Sequence, residues 1–173
     1  NIGSATMSGR ISAIAGRNLD GKSLLYVGAA SGGVWKSQDG GTTFRPVFDK
    51  QPVQSIGAIA IDPKNPLIVW VGAGESWVRN SVSIGDGIYK SIDGGESWTH
   101  MGLPKSERIT RILVDPRNGE VVYVCAPGKL WSDSPDRGLY KSTDGGKTWD
   151  LILTGPNLST GCSTVAMDPK NPD

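Results

Sequence analysis

Ser91-Ile92-Asp93-Gly94-Gly95-Glu96-Ser97-Trp98 is the middle one of three closely similar octapeptides in this chain. The other two occupy residues 37–44 and 142–149. Their aspartates, at positions 39, 93 and 144, are 54 and 51 residues apart. A period of about 50 residues is typical of repeat folds, in which each repeat is one supersecondary unit. The octapeptide therefore predicts a repeat protein.

A second motif recurs in phase with the first. The sequence Asp-Pro-Lys-Asn-Pro at residues 62–66 returns in similar form at 115–119 and at 168–172, so that both intervals are 53 residues. Two motifs with a constant phase predict three full units, at about 9–50, 54–104 and 107–156, and the start of a fourth at about 161–173. Because the chain has neither an initial Met nor an apolar leader, and stops within a turn, we expect it to be a fragment.

Each unit contains four short segments with the composition of β-strands. Those of the second unit are residues 56–61, 67–72, 88–91 and 97–101, rich in β-branched and aromatic residues and bounded by turn residues. The corresponding segments are 11–15, 24–28, 34–37 and 43–47 in the first unit, and 109–114, 121–125, 139–142 and 148–153 in the third. Residues 162–167 would open the fourth unit.

Four antiparallel strands in each unit make one blade of a β-propeller. No segment shows a sustained helical period, so the predicted class is all-β. Three blades leave two unprotected sheet edges, and we therefore expect residues 1–173 alone to aggregate. The complete protein would close into seven or a similar number of blades, or into two such rings.

The octapeptide itself is best interpreted as a structural turn. Glycines permit positive φ angles in a tight hairpin, and Asp, Ser and Thr side chains bond the local backbone. The predicted turn residues are Asp39, Gly40, Gly41, Asp93, Gly94, Gly95, Asp144, Gly145 and Gly146. A calcium site is disfavoured because each copy has one carboxylate, whereas calcium takes six to eight oxygen ligands. We predict no metal and no cofactor.

Charge and hydropathy argue against a nucleic-acid partner and against a membrane-spanning helix. The 18 Lys and Arg residues balance 17 Asp and Glu residues, and no basic stripe is present, so nucleic-acid binding is disfavoured. No apolar run approaches the roughly 20 residues that cross a bilayer as a helix. We therefore predict no transmembrane segment in these residues.

The two cysteines have no metal-type spacing. Free cysteine is commonly a buried core residue, so we expect two buried thiols. Strand order leaves a disulfide open, because Cys125 ends the second strand of blade three and Cys162 begins blade four on the same face.

The form Ser-x-Asp-Gly-Gly-x-Thr-Trp, repeated on consecutive blades, resembles the Asp box, or bacterial neuraminidase repeat. Residues 9–11, 31–37 and 79–87 extend the resemblance over the whole chain, to the first blades of large secreted bacterial proteins with sortilin-N-terminal-like propellers. Such proteins are often labelled glycosyl hydrolases. The resemblance implies an extracellular or periplasmic location.

The resemblance does not carry over a complete catalytic set. Xyloglucanase-type glycosidases have an acidic residue two positions before a Gly-Gly pair, and here that position is Ala30. Glycoside hydrolysis ordinarily requires two carboxylates, so a xyloglucanase mechanism is disfavoured. Sialidases need an arginine cluster with a tyrosine nucleophile and a glutamate, and no residues here match that triad.

Strand order predicts where a ligand site would lie. The turns between the first and second strands share one rim of the propeller with the Asp boxes. The connections between the second and third strands lie on the other rim, where the chain has long loops at residues 73–87 and 126–138. These loops mix charged, amide and aromatic side chains suited to sugar or peptide recognition. The candidate ligand-binding residues are Trp77, Arg79, Asn80, Lys129, Trp131 and Arg137.

Three functions remain open from the sequence. The first is a secreted propeller module that binds a glycan or a polypeptide on the long-loop rim, beside the remaining blades of its own chain. The second is a glycoside hydrolase whose acids lie partly outside this chain, with Glu75 and Asp86 as weak local candidates. The third is a structural part of an extracellular assembly. His100 is a poor catalytic candidate because no nucleophile motif accompanies it.

Overall fold

The protein folds into three small β-sheets. The computed structural model describes residues 10–19, 21–77 and 82–168. Within these ranges there are three four-stranded antiparallel sheets and no helix. The predicted all-β class and four-stranded blades are therefore confirmed.

The strands of each sheet are hydrogen-bonded in chain order, as a meander. Blade one consists of β1 (Ile11–Leu19), β2 (Lys22–Ala29), β3 (Val34–Ser37) and β4 (Arg45–Pro46). Blade two consists of β5 (Ile56–Ile61), β6 (Val69–Ala73), β7 (Ile88–Ser91) and β8 (Thr99–His100). Blade three consists of β9 (Arg111–Asp115), β10 (Asn118–Ala126), β11 (Gly138–Ser142) and β12 (Asp150–Leu153).

Apolar residues of neighbouring blades form two cores. The core between blades one and two contains Tyr26, Val34, Phe48, Ile56, Val69, Val71, Ala73 and Tyr89. The core between blades two and three contains Trp70, Ile88, Ile109, Ile112, Val122, Val124, Ala126 and Tyr140. A sheet that is apolar on both faces needs a neighbour on each side, so the packing of blade against blade holds the fold together.

Glycine on the second strand of a blade lets the next blade approach. A Cβ at Gly28 would lie 2.6 Å from the Ile56 side chain, and one at Gly72 would lie 2.4 Å from that of Ile109. Gly28 lies opposite Val34, and Gly72 lies opposite Ile88. In both blades the glycine therefore faces the first residue of the third strand. The glycine and isoleucine therefore fit together at each blade boundary.

Blade three replaces this contact with a disulfide. Cys125 occupies the glycine position, opposite Leu139, and is bonded to Cys162 with 4.9 Å between their Cα atoms. The prediction of two free thiols is therefore wrong. The physical reason is the blade period, which places the two residues across one boundary, as Gly28 and Ile56 are placed across the preceding one.

The structure corrects the predicted strand lengths. The outermost strands of blades one and two contain two residues each, because the Asp-box loop continues further than expected. Strand β1 instead extends to Leu19. Residues 162–167, predicted as the first strand of a fourth blade, belong to no sheet, since the described residues hold no second strand beside them.

Each Asp box is closed by the same set of hydrogen bonds. In blade two the Ser91 hydroxyl donates to Asp93 at 2.7 Å and accepts the Gly95 amide at 2.7 Å. The Asp93 carboxylate also accepts the Ser97 amide and hydroxyl. Blades one and three repeat these bonds from Asp39 and Asp144. The carboxylates therefore serve the turn.

Candidate functional site

The turns and loops separate onto two rims, as strand order predicts. The Asp-box amides of Gly40, Gly94 and Gly145 donate to the carbonyls of Ser23, Leu67 and Glu120, next to the turns between first and second strands. On the other rim, the Gly74 amide of a long loop donates to the Ser55 carbonyl, which lies between blades. The long loops therefore lie opposite the Asp boxes.

Glu75 lies at the base of the blade-two loop and is only 1% exposed. Its amide donates a hydrogen bond at 3.0 Å to the hydroxyl of Ser55, which lies in the connection between blades one and two. Its carboxylate forms an ion pair with Arg10. This carboxylate fixes the loop to the start of blade one and is not presented on an open surface.

Asp86 ends the same loop and supports Tyr89. The Tyr89 hydroxyl donates to the Asp86 carboxylate at 2.7 Å. Burial, and then this hydrogen bond, raise the pKa of Tyr89 above its ordinary value. The His100 ring stacks edge-on against Tyr89 and lies 2.7 Å from the Asp86 carbonyl through Nε2. His100 thus packs at the outer edge of the blade.

A groove of about 370 Å³ lies between the loops of blades two and three. Its walls are Val82 and Ile84 on one side and residues 129–132 on the other, with Glu107 and Arg108 between them. We refer to these residues as the loop groove. It is a concave surface with both apolar and charged walls, which is the form of most small-ligand sites.

Arg108 is a buried cation at the loop groove, 3% exposed. Its Nη1 donates to the Gly128 carbonyl at 3.3 Å and to the Glu107 carboxylate at 3.2 Å. Glu107 has a positive φ of 55°, which is uncommon for a residue with a side chain. That conformation turns its carbonyl toward the Gly85 amide, which donates to it at 2.7 Å. The blade-two loop therefore holds the backbone of Glu107, and the blade-three loop holds the guanidinium of Arg108.

The two loop tryptophans are exposed. Trp77 is 66% exposed and Trp131 is 73% exposed, although tryptophan is highly buried on average. Trp131 borders the loop groove beside Lys129, which is half-buried. The loop groove is thus lined by the indole ring of Trp131, the ammonium group of Lys129 and the carboxylate of Glu107.

Arg137 has a different environment. Its guanidinium donates to the carbonyls of Pro127, Lys129 and Ser132. These bonds close the blade-three loop on itself, so this guanidinium positions the residues that line the groove. Arg79 and Asn80, the other predicted ligand-binding residues, lie outside the described residues.

Sequence reasoning did not select Glu107 and Arg108 as a pair in the groove. They belong to the short connection between blades two and three, whereas the predictions concentrated on the long loops. Blade order could have pointed to these two residues, because a connection between blades emerges on the same rim as the long loops. Leu103 and Glu107 are the non-glycine residues with positive φ in the described part of the chain. No sequence pattern predicts a positive φ angle at either residue.

The chain matches a known protein family over most of its length. The model of the Sortilin-Vps10 family, described as sortilin, neurotensin receptor 3, matches residues 32–172. The chain belongs to the Sortilin-Vps10 family. Within this Sortilin-Vps10 chain the match includes both long loops and all three Asp boxes.

Relatives of this Sortilin-Vps10 chain include bacterial xyloglucanases. It is 28% identical over 155 residues to the xyloglucanase Xgh74A of Acetivibrio thermocellus, covering 80% of this chain and 17% of that protein. It is 26% identical over 166 residues to a xyloglucanase of a Paenibacillus species, covering 87% and 15%. The chain thus spans less than a fifth of the length of these relatives.

Solved structures agree on the fold. The crystal structure of an ancestral GH74 enzyme superimposes with a TM-score of 0.70 at 18% identity, covering 92% of this chain and 21% of that one. The three sheets are therefore consecutive blades of a propeller.

Ala30 lies on the long-loop rim and is 2% exposed. Its amide donates to the Arg10 carbonyl at 2.9 Å. The position at which the sequence resemblance leads us to expect an acid thus holds a buried methyl group. Among residues 10–19, 21–77 and 82–168, no group of three metal-ligating side chains converges, and no helix there is long and apolar enough to span a membrane.

Proposed function

We propose that this chain is part of an extracellular propeller of the glycoside hydrolase type and that its loop groove binds a polysaccharide with a glucan backbone. The observation that carries the proposal is the exposed Trp131 ring beside a polar groove on the rim opposite the Asp boxes. An aromatic face stacks on the apolar face of a sugar ring, while nearby charged groups bond its hydroxyls. The relatives named as xyloglucanases supply the substrate class.

In this proposal the chain contributes the binding surface and no more than one acid of the reacting pair. Hydrolysis of a glycosidic bond ordinarily takes two carboxylates that flank it. Glu75 is buried against Arg10, and Asp86 accepts the Tyr89 hydroxyl. Glu107 is the carboxylate that lines the loop groove, beside Arg108. The remaining acid would come from another part of the complete protein.

The extracellular location is supported by the disulfide. Disulfides form and persist in oxidising compartments and are rare in the cytosol. The Cys125–Cys162 bond joins two segments that meet at a blade boundary. A protein that kept this bond would fold outside the cytosol.

The proposal is tested by measuring reducing ends released from xyloglucan by the full-length protein. We expect turnover, with kcat/KM reduced about tenfold in Trp131→Ala through a higher KM, which corresponds to ~1.4 kcal/mol. Trp131→Phe, which keeps an aromatic face, should retain most of the activity. Substituting Glu75→Gln and Asp86→Asn separates catalytic from supporting roles, since a supporting carboxylate changes the melting temperature together with the activity.

A second function, glycan binding without hydrolysis, is favoured by one observation. Ala30 occupies the position of the expected acid, and the two other candidate acids hold neighbouring side chains. Xyloglucan binding that depends on Trp131, without release of reducing ends, would replace the hydrolase proposal by this one. Absence of both binding and turnover would overturn both.

A further inference from the structure

A cavity of about 200 Å³ lies between blades one and two. Because an Asp-box glycine lines it, this cavity is on the rim opposite the loop groove. Tyr26 and Lys36 are buried at its inner end, whereas Leu67 is 54% exposed at its opening. We call it the boundary cavity, and the residues that define it are Leu19, Leu24, Tyr26, Lys36, Leu67 and Gly94.

The inner end of the boundary cavity carries a buried cation. Lys36 is 6% exposed, and its Nζ donates to the Gly94 carbonyl at 2.7 Å. The Glu96 carboxylate is 3.7 Å from Nζ and accepts hydrogen bonds from Arg45. Burial lowers the pKa of Lys36 below its usual value, because desolvation disfavours the charged form. An ammonium group has three donors, so a further carboxylate in the cavity would stabilise this cation.

The boundary between blades two and three has a carboxylate at the corresponding place. Lys90 matches Lys36, since each lysine donates to a glycine carbonyl of the following Asp box. Glu120 matches Leu67, since the carbonyl of each residue accepts an amide of that box. An acidic side chain at the second boundary thus has a leucine as its counterpart at the first.

The two boundaries can be compared at the Asp-box glycine. A Cβ at Gly145 would touch the Glu120 carboxylate and would lie 3.0 Å from Lys90 Nζ. A Cβ on the corresponding glycine of the first boundary would lie 3.2 Å from Lys36 Nζ and 3.5 Å from the Leu67 side chain. A methyl group of Leu67 therefore stands where the second boundary has a carboxylate.

We propose that the boundary cavity binds a small aromatic carboxylic acid in its ionised form. The carboxylate accepts a hydrogen bond from Lys36, in the place that Glu120 fills at the next boundary, and the ring packs against Leu24 and Leu67. The size is suitable, because an apolar cavity of about 150 Å³ holds a benzene molecule. Lys22, which is exposed and also lines the cavity, attracts an anion to the opening.

A polysaccharide or a peptide is a poorer occupant of the boundary cavity. Sites for larger ligands have volumes of about 300–1,000 Å³, and this cavity is smaller. The proposal is independent of the glycan function, because the two sites lie on opposite rims and share no residue.

Calorimetric titration of the full-length protein with phenylpropionate tests the proposal. We expect binding, and we expect phenylpropionamide, which has the same shape without the charge, to bind at least tenfold more weakly. Lys36→Met should weaken phenylpropionate binding at least tenfold. Lys90→Met is the matched control, because it removes the equivalent lysine at the other boundary, and it should leave the affinity unchanged.

A second pair of variants tests the site without touching a buried residue. Leu67→Glu copies Glu120 into the first boundary, so the protein's own carboxylate should displace phenylpropionate and abolish binding. Leu67→Met keeps an apolar wall and should retain the affinity. Both variants should unfold at nearly the wild-type urea concentration, because position 67 is at the surface.

Three results would overturn the proposal. One is the absence of phenylpropionate binding to the wild-type protein, and another is equal affinity for phenylpropionate and its amide. The third is equal loss of affinity in Lys36→Met and Lys90→Met, which would trace the effect to blade stability. Xyloglucan binding should be the same with and without phenylpropionate, so this proposal and the proposed function fail separately.

Discussion

The second glycine of an Asp box meets two separate physical demands. Gly41 and Gly146 have almost the same φ angle, 91° and 90°. A Cβ at Gly146, however, would lie 2.6 Å from the buried Trp70 ring, whereas the nearest atom at Gly41 is 3.4 Å away on Leu25. The turn requires the positive φ angle at both glycines, whereas the packing of the preceding blade requires the absence of a side chain at Gly146.

This difference predicts unequal effects of one substitution. Gly41→Ala should cost about 1 kcal/mol in the free energy of unfolding, the usual price of a side chain in the left-handed region. Gly146→Ala should cost about 1–3 kcal/mol more, because the methyl group overpacks the core around Trp70. Urea unfolding of both variants measures the difference, and equal losses would contradict this account of the blade boundary.

The Asp-box carboxylates predict a dependence of stability on acid. The Ser97 hydroxyl and amide lower the pKa of Asp93 to about 2 from 3.8, and Thr43 does the same for Asp39. Because the folded pKa is the lower one, the unfolded chain binds more protons in this range. The stabilisation is therefore complete above about pH 4 and is lost as the pH falls toward 2.

Asp93→Asn should reduce the slope of unfolding free energy against pH between about pH 4 and pH 2. Ile92→Ala changes the same turn without removing a carboxylate and should keep the wild-type slope. Chemical denaturation at several pH values makes the comparison. An unchanged slope in Asp93→Asn would show that this carboxylate contributes nothing to folding.

At the scale of elements, the disulfide replaces a packing contact. Cys125 and Cys162 stand where the other boundaries have glycine and isoleucine. The bond spans 37 residues, and closing a loop of that size stabilises by about 2–4 kcal/mol.

Reduction should therefore lower the melting temperature of the full-length protein. The double variant Cys125→Gly with Cys162→Ile should fold and melt at one temperature with or without reductant, because it rebuilds the contact of the other boundaries. Calorimetry with and without dithiothreitol measures both proteins. A wild-type melting temperature that is the same with and without reductant would contradict the assignment of the bond.

The repeat made the strands predictable and left the pairing of cysteines uncertain. Two motifs in phase were sufficient to place four strands in every blade. The free-thiol prediction was based on how cysteine usually behaves, although Cys125 falls at the position of Gly28 and Gly72. The outermost strands were predicted too long because the side-chain bonds of Asp39, Asp93 and Asp144 extend each turn beyond its glycines.

At the scale of the whole molecule, the two rims have different tasks. On the Asp-box rim, the carboxylates of Asp39, Asp93 and Asp144 accept hydrogen bonds within their own turns. The other rim carries the loop groove and the exposed rings of Trp77 and Trp131. Strand order predicted this division. Blade order also places Glu107 and Arg108 on that rim, but their contacts could not be predicted, because they depend on the positive φ of Glu107 and on two loops meeting in space.

Calorimetric titration of the full-length protein with a xyloglucan oligosaccharide tests the central claim, that ligand binds on the long-loop rim. Trp131→Ala removes an exposed aromatic ring from that rim, and Ile92→Ala removes an exposed apolar side chain from the Asp-box rim. We predict about tenfold weaker binding, or ~1.4 kcal/mol, in the first variant and unchanged binding in the second. Weaker binding in Ile92→Ala with unchanged binding in Trp131→Ala would contradict the account.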